Sequence, residues 1–150
     1  MGIGQPFLPA FLAARGLSPG EISLALALGS AVRLLAGPLA GRRADGMPDP
    51  RRLLAAAAFC GALAALGYGL AAGLGALLLA QALFNAASAP LVPLSDTLSL
   101  AAARQGRLDY GLVRAGGSMA FMAAAILAGL AVGRWGAGAV PPLLALAMLA

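Results

Sequence analysis

Residues 53–72 read LLAAAAFCGALAALGYGLAA, a stretch without a single charged side chain, preceded by Arg51 and Arg52. A helix rises about 1.5 Å per residue and the hydrocarbon core of a bilayer is about 30 Å thick, so about 20 apolar residues are enough to cross it. Working outward, three more segments meet the same test. Ile22 to Gly41 carries one charge, Arg33; Leu74 to Ala103 carries one, Asp96; Val113 to Val132 has Arg114 at its start. Both ends of the chain are apolar but shorter. Met1 to Ala14 is interrupted by Pro6 and Pro9, and Val140 to Ala150 is still apolar where it stops. The expected fold is an all-α membrane protein: four complete transmembrane helices (22–41, 53–72, 74–103 and 113–132), a partial first helix (1–14) and a partial sixth (140–150). Both ends then read as cut inside helices. The start has no basic region or cleavage site of a signal peptide.

Composition agrees. Of 150 residues, 61% are hydrophobic and 10% charged, against about 45–50% and about 25% in soluble domains. So much apolar surface in a short chain must face lipid. All ten basic residues are Arg, with no His, which together with the Ala and Gly usage fits a GC-rich bacterial gene; the expected location is the inner membrane, crossed several times. The net charge of +5 does not imply nucleic acid, because the arginines sit at the ends of apolar runs and no basic face alternates with aromatics. A single cysteine, Cys60, offers neither a disulfide nor a metal framework. No Ser/His/Asp set, carboxylate cluster or phosphate-cradling loop is present, so neither an enzyme nor a cofactor is expected.

The loops set the topology. Arg42, Arg43, Arg51 and Arg52 lie between the first two whole segments, and Arg104 and Arg107 between the third and fourth, with Arg114 just beyond. The alternate connections carry only Arg15 with Glu21, and Arg134. Basic loops stay cytoplasmic, so the chain crosses once per segment. Gly37 with Gly41, Gly69 with Gly73, and Gly129 with Gly133 have the spacing of close helix contacts. Pro90 and Pro93 predict a kink within the third segment.

Charges inside the spans are the candidate functional residues, since each costs about 2.5–3.5 kcal/mol to insert. Asp96 follows the proline pair and Arg114 opens the next helix, so the two can face each other near the cytoplasmic end. They either belong to a functional site or form an ion pair that fixes helix packing. Arg33 is too deep to reach the headgroups easily; it is a ligand for an anionic solute, a partner for a carboxylate, or half of a structural pair. Gln81 and Asn85 share a helix face and either line a cavity or bond between helices, and Gln5 is a further polar residue in an apolar run.

The motifs carry a resemblance. Gly41-Arg42-Arg43-Ala44-Asp45, followed by Arg51-Arg52, resembles the loop signature between helices 2 and 3 of the major facilitator superfamily, with Gly46 where a basic residue is usual. Pro90-Leu91-Val92-Pro93-Leu94-Ser95-Asp96, with Asp109-Tyr110-Gly111-Leu112-Val113-Arg114 in the helix 4–5 connection and beyond, resembles the phenylpropionate permease branch, which is similar to lactose-permease-like symporters. The resemblance implies an N-terminal half fragment of a proton-coupled symporter of a small organic solute (an aromatic or other organic acid, or a sugar). It implies that Asp96 and Arg114 contact substrate, and that Asp45, Arg51 and Arg52 brace the closed cytoplasmic side. Implied partners are the lipid bilayer, solute, proton and a C-terminal half. A short membrane subunit and an exporter without proton coupling are the alternatives.

Overall fold

The computed structural model describes residues 4–106 and 109–149. Met1, Arg107, Ala150 and the side chain of Gln5, named above, lie outside the described residues. The described chain is a bundle of helices: α1 (Gly4–Ala14), α2 (Pro19–Asp45), α3 (Pro50–Leu70), α4 (Gly73–Ser88), α5 (Leu91–Arg104), α6 (Tyr110–Trp135) and α7 (Val140–Leu149), with a 3-10 turn (Ala137–Ala139) before α7. Taking α4 and α5 as one kinked element, four spans are long and apolar enough to cross a membrane.

Local chemistry makes the helices start and stop where they do. α2 is longer than the expected 22–41. Ser18 caps it in a reciprocal box with Glu21, and Pro19 opens the first turn with a residue that has no N–H to waste. At its other end α2 runs on through Arg42 and Arg43, whose positive charge suits a helix C-terminus. Asp49 accepts from the Arg51 N–H at 3.1 Å and Pro50 opens α3. What the sequence presents as one loop around Gly41, Asp45, Arg51 and Arg52 is therefore mostly helix: Gly41 and Asp45 end α2, Arg51 and Arg52 begin α3, and only 46–49 connect them. The same correction applies to Asp109, Tyr110 and Gly111. Asp109 caps α6, accepting from Gly111 N at 2.7 Å and Leu112 N at 3.3 Å, and Tyr110 and Gly111 form the first turn.

The expected segment 74–103 is broken at Ala89–Pro90, dividing α4 from α5. Prolines 90 and 93 offer no N–H to the preceding turn, and the ladder resumes with Leu94 N on Pro90 O at 3.0 Å.

α3 packs between α4 and α7, and α2 lies along α4. α5 touches α2, α3 and α6, while α6 reaches the 3-10 turn and α7 at its far end. The core centres on Phe11, Leu12, Tyr68, Leu77, Leu144 and Val140, all buried. Tyr68 meets Phe11 and Phe84 edge-on, at 6.1 and 5.9 Å between ring centroids. The glycines that admit a neighbour closely are not those the spacing suggested. At Gly37, Gly41, Gly73 and Gly133 a Cβ would meet nothing within 4 Å, and at Gly69 and Gly129 only ordinary contacts. The tight approaches between helices are at Gly29, against α4, and at Gly61, against Met148 of α7. Large apolar side chains remain on the outside of α2 and α6, with Leu34 77% and Leu112 74% exposed. Faces of this kind belong in lipid or against more protein.

Candidate functional site

Two polar arrangements lie among the spans. The first joins α5 to α6. Asp96 sits one turn beyond Pro93, and Arg114 one turn beyond the cap at Asp109, so the short connection brings them level on antiparallel helices. Arg114 Nη1 donates to Asp96 Oδ1 at 3.0 Å and Oδ2 at 2.9 Å. The side chains are 57% and 39% exposed, respectively. Among the described residues only Nη1 of this guanidinium is engaged, so other donors remain on it for a second anionic or hydroxylated group.

The second arrangement joins α2, α4 and α3. Gln81, Asn85 and Ser88 share one face of α4, and all three are buried. Arg33 of α2 donates from Nη2 to Ser88 Oγ at 3.4 Å. Ser88 donates in turn to the Asn85 carbonyl at 3.4 Å, and Asn85 Nδ2 to the Gln81 carbonyl at 2.9 Å. The Tyr68 hydroxyl of α3 donates to Gln81 Oε1. In this structure Gln81 and Asn85 bond between and along helices. Ser88 could have been found from the i, i+4, i+7 spacing that starts at Gln81. Tyr68 and Gly29 give no such signal.

Between the C-terminal part of α2 and the first half of α5, a crevice of about 140 Å³ is lined by Gly37, Gly41, Asp45, Pro50, Pro93 and Thr97, among others. The neighbouring ion pair, Arg52 with Asp49 at 3.9 Å, is exposed, and such pairs contribute little. At the opposite end Arg15 is tied down in a way the sequence did not suggest. Its guanidinium donates to the carbonyls of Ala71 at 2.9 Å, Gly69 at 2.8 Å and Tyr68 at 3.3 Å, and lies 5.0 Å from the Phe11 ring centroid. These are the orphan acceptors at the end of α3, where the helix dipole favours a cation.

Kinked apolar spans, an acidic residue after the kink and an arginine early in the following helix are thus in place. The profile of the MFS_1 like family matches residues 1–150. The chain belongs to this family of major facilitator superfamily transporters. It is 37% identical over 131 residues to a probable 3-phenylpropionic acid transporter of Escherichia coli (strain K12), covering 85% of this chain and 34% of that protein. It is 34% identical over 113 residues to a maltose permease of Geobacillus stearothermophilus, covering 75% of this chain and 29% of the permease. The chain therefore spans about a third of the length of the curated relatives it matches. No solved structure matches it significantly. Family membership and the apolar spans make this a multi-pass membrane chain.

Proposed function

We propose that this chain is the N-terminal bundle of a secondary active transporter that couples uptake of a small organic solute to proton entry across a bacterial inner membrane. The observation that carries the proposal is the Asp96–Arg114 pair, both carboxylate oxygens within 3.0 Å of Nη1 at the junction of the kinked span and its neighbour. A carboxylate that gains a proton gives up its hold on the guanidinium. Arg114 is then released toward a solute carboxylate or hydroxyl, and loss of the proton restores the pair. Arg33, held inside the bundle, supplies positive charge for an anionic group. The bundle faces a C-terminal half across a central site, and the two halves rock to alternate access. Asp45, Arg51 and Arg52 brace the cytoplasmic side when it is closed. The names of the relatives point to organic acids and sugars as the solute class.

The test is uptake by cells expressing the full-length protein, with 3-phenylpropionate and maltose as labelled probes, with and without a protonophore. Uptake of at least one probe that collapses with the proton gradient is expected, and Asp96→Asn should reduce it at least tenfold. Uptake indifferent to the gradient would instead make the protein a carrier without proton coupling. Full activity of Asp96→Asn would remove Asp96 from the mechanism.

A further inference from the structure

The interface of α2 with α4 is built around an absence. Gly29 and Arg33 lie one turn apart on the same face of α2, and Gln81, Asn85 and Ser88 form the opposing face of α4. A Cβ at Gly29 would stand 2.6 Å from both Asn85 Nδ2 and Gln81 Nε2, and 3.0 Å from Asn85 Cγ. The two amides occupy the space that any other residue would fill. Their orientation is set from the far side. Tyr68, fully buried, donates its hydroxyl to Gln81 Oε1, so the oxygen of that amide turns to α3 and its nitrogen to α2. Asn85 Nδ2 is held by the Gln81 carbonyl at 2.9 Å. One turn further along both helices, Ser88 receives the Arg33 guanidinium at 3.4 Å.

We propose that Gly29 and Tyr68 are positioning residues for Arg33: together they fix how closely the amide-bearing face of α4 approaches α2, and thereby seat the Arg33 guanidinium on Ser88 inside the membrane. Their effect on the guanidinium runs through the α4 face, whose Ser88 accepts from Arg33 Nη2. Gly29 sets the separation of the helices, because interiors resist inserted atoms and respond by moving packed elements. Tyr68 holds the amide stack against that glycine, and its loss leaves a buried acceptor without its donor. The consequence for transport of anions rests on the role proposed for Arg33 above, but the seating itself is measured without a solute.

The experiment is arginine modification by phenylglyoxal on the full-length protein in phosphatidylethanolamine–phosphatidylglycerol vesicles, resolved by site with mass spectrometry. In the parent protein Arg33 is expected to react more slowly than the exposed Arg43. Tyr68→Phe, which keeps the ring and removes only the hydroxyl, should speed modification of Arg33 at least fivefold. Gly29→Ala should do the same. Rates at Arg15 and Arg114 should stay within twofold of the parent. An unchanged Arg33 rate in Tyr68→Phe overturns the proposal, even if Gly29→Ala fails to fold. So does acceleration at every arginine together, which marks general loosening. Uptake of 3-phenylpropionate separates the two readings. With seating intact as a finding, Arg33→Gln that transports normally would remove the anion role while leaving Gly29 and Tyr68 as positioning residues. If Arg33 does bind the anion, Tyr68→Phe should raise KM at least fivefold with kcat within twofold.

Discussion

Arg114 meets Asp96 through one nitrogen, and this decides what can replace it. Lysine offers a single ammonium with three donors, and it forfeits mainly the fork geometry, which is not used toward Asp96 here. Arg114→Lys is therefore expected to retain uptake within about tenfold of the parent, about 1.4 kcal/mol at most, whereas Arg114→Gln should fall below that limit. Initial rates of probe uptake by the two variants check the order. Arg15 is the opposite case. Its three carbonyl acceptors need a planar fork, so Arg15→Gln should destabilise the detergent-solubilised full-length protein by about 1–2 kcal/mol. Arg15→Lys should cost less but not nothing, because it keeps the charge at the helix end. Thermal unfolding in detergent measures both. At this scale the sequence was only partly legible. Asp96, Arg114 and Arg33 announce themselves as charges in apolar runs. Arg15 reads as an ordinary loop arginine, because its partners are carbonyls more than 50 positions away, and carbonyls are the same at every residue. Tyr68 has no sequence mark either, since one polar atom on a large apolar ring does not disturb a hydrophobic run.

For the helices, long apolar runs made four spans plain, and the proline pair marked the break between α4 and α5. The true ends were harder to see, because they depend on caps: Ser18 with Glu21, Asp49, and Asp109 each start a helix inside what composition presents as loop. Which glycines matter was also hidden. In a chain with 21 of them, spacing alone marks pairs by chance, and the deciding fact is what stands opposite. Opposite Gly61 stands the Met148 sulfur, where a Cβ would lie 3.2 Å away. A thioether is flexible enough to yield to one methyl group, so Gly61→Ala should change stability little. Gly61→Leu should force α3 from α7 and cost about 1–3 kcal/mol. Thermal unfolding of both variants tests whether α3 and α7 pack as a unit.

For the whole molecule, the distribution of charge predicts orientation. The α2–α3 and α5–α6 connections belong in the cytoplasm by their arginines, and the α1–α2, α3–α4 and α6–α7 connections on the other side. In a Cys60→Ser background, a cysteine at Gly46 should react with a membrane-impermeant maleimide only in inverted vesicles, and one at Ala137 only in intact, right-side-out ones. Labelling of both from the same side would overturn the topology. The broad exposed faces of α2 and α6 are what a bundle shows when much of its environment is lipid or further protein.

The Arg15 contact also bears on the order of assembly during synthesis. Its acceptor at Ala71 lies 56 residues downstream. A ribosome adding about 5–20 residues per second reaches that carbonyl between about 3 and about 11 seconds after Arg15 itself is joined. Until α3 joins them, α1 and α2 lack the bonds that tie the Arg15 end of the pair to α3. Any quality-control protease or insertion factor that surveys nascent helices meets α1 and α2 in that untied interval, and the arrival of α3 closes it.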